Sequence, residues 1–120
     1  MVKGKKLLSV TQNHLFRKAY AKGRSVVSES IAVYILRNGR RNETRTGITV
    51  STKRGNAVMR VRLRRIIREA LRDISDITAE GYIIIVVARQ GAVGKKSTDI
   101  LLELTRAFKK VGILNIQPKP

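Results

Sequence analysis

The chain contains no cysteine, a single histidine, and only eight acidic residues against twenty-six lysines and arginines. Without cysteine there are no disulfides and no thiolate metal sites, which fits a cytoplasmic protein. The acids are Glu29, Glu43, Glu69, Asp73, Asp76, Glu80, Asp99 and Glu103, too few and too scattered to suggest a carboxylate cage. Glu69 and Asp73 stand at i, i+4 spacing and could in principle share an ion. They lie among arginines, so ion pairing along a helix is the expected role. His14 has no acid near it in sequence and reads as a surface residue. The longest apolar run, 82–88, is too short to span a bilayer. The start, MVKGKKLLSV, lacks the apolar stretch and cleavage site of a signal peptide. Gly94-Lys95-Lys96-Ser97 lacks the upstream glycine of a phosphate-binding loop. No nucleophile, base pair or metal cage emerges, so any catalysis associated with the chain is expected to come from a partner.

What the chain has is positive charge. Its 120 residues are 42% hydrophobic and carry a net charge of +18. That length fits one domain, 1–120, with a real core. Self-repulsion at this charge opposes folding, so the surplus points to an anionic partner. Nucleic acid is the leading candidate and an anionic membrane surface the alternative.

The charge concentrates at 53–73, KRGNAVMRVRLRRIIREALRD, where seven residues are arginine and the only acid before Arg72 is Glu69. After the Gly55-Asn56 turn signal the stretch reads as a helix. At 100° per residue Met59, Leu63, Ile66, Ile67, Ala70 and Ile74 share one side. Arg65, Arg68 and Arg72 gather opposite them, with Arg60 and Arg64 on one flank and Arg62 on the other. A charged helix face is commonly just solvated, but such faces normally mix acids with bases. A nearly pure arginine face predicts polyanion binding, because the planar guanidinium holds phosphate oxygens in pairs.

Residues 1–10, with Lys3, Lys5 and Lys6, read as a basic arm. Ser9 or Thr11 can cap a helix over 11–21 that ends at Gly23. Leu15 and Ala19 look like its core contacts. Phe16 and Tyr20 form a second i, i+4 pair, either a wider buried face or the lining of a groove where bases stack. Segments 25–29 and 30–36 read as extended, with Ile31, Val33 and Ile35 on one face and Ala32, Tyr34 and Leu36 on the other. A turn at 38–43 returns the chain into a strand over 45–51. There Gly47, Thr49 and Ser51 make a small, polar face: an open trough, or simply the solvated side of a sheet. Residues 82–88, YIIIVVA, lack alternation and predict a central strand buried on both faces. A basic, glycine-containing loop follows at 89–96. Ser97, Thr98 or Asp99 can then cap a last helix to about Val111, ended by Gly112. Residues 113–120 read as a loose tail. The order α-β-β-β-α-β-α predicts an α/β (α+β) sandwich, with about three helices on a four-stranded, mainly antiparallel sheet.

Residues 45–73, RTGITVSTKRGNAVMRVRLRRIIREALRD, closely resemble the signature of the bacterial ribonuclease P protein subunit. That signature runs from a strand through a lysine-glycine turn into GNAV-x-R-N-R, a basic pair and Arg-Glu. Lys53, Gly55, Asn56, Ala57, Val58, Arg60, Arg62, Arg64, Arg65, Arg68 and Glu69 match it. Phe16, Tyr20, Tyr34, the YIII strand and the final amphipathic helix extend the resemblance over nearly the whole chain. It implies a fold like the second domain of ribosomal protein S5, with an unusual left-handed crossover at the arginine helix.

The resemblance further implies an accessory to a catalytic RNA that cuts precursor tRNA at its 5′ end, with Mg2+ held by RNA and substrate. Lys53, Arg54, Asn56, Arg60, Arg62, Arg64, Arg65 and Arg68 would bind the catalytic RNA. Phe16, Tyr20, Tyr34, Thr49 and Ser51 would line a cleft for the single-stranded 5′ leader. Ribonuclease P RNA and precursor tRNA are the implied partners, with no membrane and no obligate protein partner. The alternative is a ribosomal or general RNA-binding protein without a role in cleavage; a metal-dependent nuclease is disfavoured by the scarcity of acids. One departure stands out: the family's Arg-Asn-Arg is Arg60-Val61-Arg62 here, which sets an apolar side chain in the basic face.

Overall fold

The computed structural model describes residues 8–9, 13–39 and 43–114. A mixed sheet organises the molecule, in the order β1-β4-β5-β3-β2. Its four principal strands are β2 (Arg24–Val27), β3 (Ile31–Arg37), β4 (Arg45–Thr49) and β5 (Tyr82–Ala88), and β1 is the two-residue edge Leu8–Ser9. Among the principal strands β2–β3 and β3–β5 are antiparallel and β4–β5 is parallel. The edge strand β1 adds a second parallel pair, with β4. The helices are α1 (Asn13–Lys22), α2 (Ala57–Ile74) and α3 (Ser97–Val111).

Strand β5 sits at the middle of the sheet, as its unbroken apolar run requires. Ile84 and Val86 face the main core, while Ile83 and Ile85 face a second cluster. Strands β3 and β4 follow each other in the chain but do not lie side by side. The two strands flank β5 instead, and helix α2 carries the chain from β4 to β5 as a parallel crossover. A strand apolar on both faces belongs where both faces and both edges are covered.

Helices lie on both faces. Helices α2 and α3 bury Leu63, Ile67, Ala70, Leu71, Ile74, Ile100, Leu104 and Phe108 with Ile31, Val33 and Ile35 of β3. Leu71 joins the α2 stripe, whereas Met59, expected in it, is 38% exposed at the first turn. On the other face Ala19 of α1 is fully buried with Ile83 and Ile85, and Leu15, Phe16, Tyr34, Leu36 and Val87 pack around them. The expected open trough is therefore half roofed by α1.

The ends of several elements differ from expectation. Lys96 holds the cap position of α3, and its backbone N–H donates to Asp99 Oδ2 at 2.9 Å. Gly112 ends α3 in the left-handed region at φ 86°. Beyond it Ile113 is buried, and its carbonyl oxygen accepts from Ala79 N–H at 2.7 Å, so residues 113–114 are docked rather than loose. Leu8 and Ser9, placed in the basic arm by sequence, pair with Arg45 and Thr46 of β4. Lys3, Lys5, Lys6, the cap candidate Thr11 and the tail 115–120 lie outside the described residues.

Candidate nucleic-acid interface

The basic side is built at the β4–α2 junction. Ser51 Oγ accepts the Lys53 N–H at 3.1 Å, which starts a single 3-10 turn over Thr52–Arg54. Asn56 then caps α2: its Oδ1 accepts the Met59 N–H at 2.9 Å, closing one of the unpaired donors of the first turn. Lys53 and Asn56 stand exposed beside this cap.

The arginines of this region divide into two sets. Arg65, Arg68 and Arg72 are exposed on the outer side of α2, as the wheel predicts, and Arg62 on its flank is exposed as well. Arg64 is exposed too, but its Nη1 donates to the Ile48 carbonyl oxygen at 3.0 Å and ties α2 to β4. Arg54 is half-buried, and its Nη1 donates to Gln90 Oε1 at 2.9 Å in the loop after β5. The Nε atoms of Arg54 and Arg60 are buried, with no hydrogen-bond partner among the described residues. Treating all these arginines as one RNA-binding set thus misses that Arg54 and Arg64 also brace the scaffold. The contact with Gln90 is tertiary and leaves no sequence signal.

Glu69 and Asp73 are exposed, and among the described residues neither takes part in an ion pair, which corrects the expected pairing along α2. Val61 is 57% exposed and Val58 77%, so an apolar strip does run through the arginine face.

On the opposite face of the sheet α1 leans Phe16 and Tyr20 toward the strands. The rings of Phe16 and Tyr20 lie 6.4 Å apart, and Tyr20 meets Tyr34 edge-on at 4.9 Å. Tyr20 and Thr49 share a hydrogen bond of 3.1 Å between their hydroxyls. Four of the five expected cleft residues, Phe16, Tyr20, Tyr34 and Thr49, are therefore neighbours. Ser51, the fifth, lies past the end of β4 and uses its hydroxyl to accept the Lys53 N–H. Of the two readings of this pair, a wider buried face fits Phe16, which is half-buried, but not Tyr20, which is 40% exposed.

The register identifies cleft residues that sequence reading missed. Val27, Ala32, Val87 and Thr49 are consecutive partners across β2, β3, β5 and β4, and so form one row on the α1 side. Ser25, Tyr34, Ile85 and Gly47 form the neighbouring row. Val27 is 59% exposed at the outer end of the first row. Alternation put Ala32 on the Tyr34 face, but only strand pairing brings Val87 and Val27 into line with it. The surface combines aromatic edges, hydroxyls and a shallow apolar floor, which suits unstacked bases and riboses.

Among the described residues no group of three or more histidine, cysteine or acidic side chains could hold a metal ion. No described helix is long and apolar enough to cross a membrane.

The family model for ribonuclease P matches residues 5–112. The chain belongs to the ribonuclease P protein family. A ribonuclease P protein component from Symbiobacterium thermophilum is 33% identical over 110 residues, covering 92% of this chain and 96% of the relative. One from Alkaliphilus oremlandii is 36% identical over 104 residues, covering 87% and 90%. Among solved structures, the Staphylococcus aureus ribonuclease P protein superposes with a TM-score of 0.80 at 34% identity, covering 92% of this chain and all of that one. The Thermotoga maritima protein gives 0.71 at 25% identity, covering 86% and 92%. Proteins of this family are components of ribonuclease P, the complex that processes tRNA 5′ ends, and their partner is the ribonuclease P RNA.

Proposed function

We propose that this chain joins the catalytic RNA of ribonuclease P to the 5′ leader of precursor tRNA in the cytoplasm, using opposite faces of one sheet. The observation that carries this reading is the convergence of Phe16, Tyr20, Tyr34 and Thr49 beside α1, while Arg62, Arg65 and Arg68 face solvent from α2. The arginine face, with Lys53 and Asn56 beside its cap, takes phosphates of the catalytic RNA. Arg54, Arg60 and Arg64 support it from the flank. The aromatic cleft takes the single-stranded leader, whose bases can stack where a duplex cannot enter.

The chain's contribution is binding and positioning. Two polyanions must approach each other, and a net charge of +18 between them lowers their repulsion. Magnesium for the chemistry would be held by the RNA subunit and substrate, as the resemblance to the family implies. The exposed arginines and lysines instead act as fixed counterions that lessen the need for free magnesium.

The test is cleavage of precursor tRNA by a bacterial ribonuclease P RNA at low magnesium, with and without this protein. The expected result is strong stimulation and no cleavage by the protein alone. Tight RNA binding without stimulation would instead favour a general RNA-binding role, and cleavage by the protein alone would overturn the accessory reading.

A further inference from the structure

Gly47 lies buried in β4, opposite Ile85 and one row from Thr49. Glycine weakens a strand interior, so its presence there commonly marks a close approach to the backbone. The approach is visible here. A Cβ at position 47 would lie 2.9 Å from Phe16 Cζ, 3.0 Å from Phe16 Cε1 and 2.9 Å from Ile85 Cδ1. The Phe16 ring rests on the bare backbone of β4, in the space a side chain would fill.

Both neighbours cannot yield equally. Ile85 is fully buried beneath α1, whereas Phe16 is half-buried and has solvent on its outer side. A methyl at 47 would therefore lift the Phe16 ring outward. The ring does not stand alone: it neighbours Tyr20, which meets Tyr34 edge-on and shares a hydrogen bond with Thr49.

We propose that Gly47 is a positioning residue for the cleft: its missing side chain seats Phe16, and through Phe16 the tyrosine pair, at the depth a single-stranded leader requires. This rests on the leader-binding reading of the cleft. Gly47 touches no nucleotide itself. Its effect passes through one ring, so it disappears when that ring is absent.

The test is a double-mutant cycle with Gly47→Ala and Phe16→Ala in the holoenzyme assembled with ribonuclease P RNA. Binding is read for leader-bearing precursor and for mature tRNA. Gly47→Ala is expected to weaken precursor binding about fivefold, on the scale of losing part of one base–aromatic stack, and to leave mature tRNA unchanged. In the Phe16→Ala background it is expected to add nothing. An unchanged precursor affinity, or the same loss with and without Phe16, overturns the proposal while leaving the cleft reading intact. If Phe16→Ala itself spares precursor binding, the cleft reading fails and the proposal with it. Should Gly47→Ala fold poorly, Gly47→Ala with Ile85→Val removes the buried Cδ1 contact and leaves the contact with the Phe16 ring. Relative to Ile85→Val alone, that folded variant is expected to bind precursor more weakly, and an unchanged affinity counts against the proposal. In the free protein, nuclear Overhauser contacts between the Gly47 Hα protons and the Phe16 ring are expected, and their absence would also overturn it.

Discussion

Arg64 Nη1 donates to the Ile48 carbonyl oxygen at 3.0 Å, so an arginine of the basic helix also fastens that helix to strand β4. Arg65 and Arg68 are exposed on the outer side of α2. Neighbours of identical chemistry thus have separable roles. Arg64→Ala is expected to lower folding stability by about 1 kcal/mol, the scale of a net hydrogen bond. Arg65→Ala or Arg68→Ala should leave stability within about 0.5 kcal/mol. Each of these two should reduce the log–log salt slope of RNA-subunit binding by roughly 0.7 to 0.9. Denaturant melts and RNA titrations at several salt concentrations check both. A stable Arg64→Ala, or an unchanged slope for the other two, would contradict the division.

Tyr34 presents its ring to Tyr20 edge-on at 4.9 Å from within the cleft. Tyr34→Ala or Phe16→Ala should weaken binding of leader-bearing precursor by about 1 to 3 kcal/mol, the range for one stacked base. Mature tRNA, which has no leader, should bind nearly as before. Equal losses for both RNAs would remove the leader from the cleft.

Val61 is 57% exposed in the basic face of α2, where the family motif has asparagine. An exposed valine adds little to folding, so Val61→Asn should leave the melting temperature nearly unchanged. The restored amide offers a donor and an acceptor. Binding to the RNA subunit should tighten by about 1 kcal/mol. Unchanged affinity in a titration at fixed salt would show that no polar contact is available there.

Glu103 of α3 braces the turn between β2 and β3: its Oε1 accepts from Ser28 Oγ at 2.5 Å and from the Ser30 N–H at 3.0 Å. Burial pushes its pKa up, but the hydrogen bonds from Ser28 and Ser30 and the charge of Lys95 outweigh this and hold it below the ordinary value. A carboxylate depressed by folding stabilises the fold above its unfolded-state pKa, about 4.3, and loses that contribution as pH falls through the lower folded value. Wild type should therefore be more stable than Glu103→Gln at neutral pH, with the gap narrowing below about pH 4.3. Urea midpoints across that range would show it. A gap that does not change with pH would mean the charge of Glu103 is not what the turn uses.

Periodicity made each element legible wherever its own residues carried the information. The run 82–88 showed a strand needing cover on both faces, and β5 is the central strand over those residues. The stripe through Leu63, Ile67, Ala70 and Ile74 showed which side of α2 is buried, and hence which arginines face outward. The excess of arginine and lysine over acid pointed to a polyanion. The run 45–73, with its Gly55-Asn56 turn signal, is specific enough to indicate the family.

Tertiary structure decided which surfaces meet. Period 3.6 or 2 states that a face is apolar, not what covers it. Nothing local to β3 and β4 announces that β5 lies between them, and strand pairing is set only when the chain closes. The Val27–Ala32–Val87–Thr49 row therefore existed only once the register was known. The same holds for α1 over the trough, for Ile113 against Ala79, and for Arg54 on Gln90. Charge and periodicity are properties of neighbours along the chain, whereas a cleft and its depth at Gly47 belong to residues that only folding brings together.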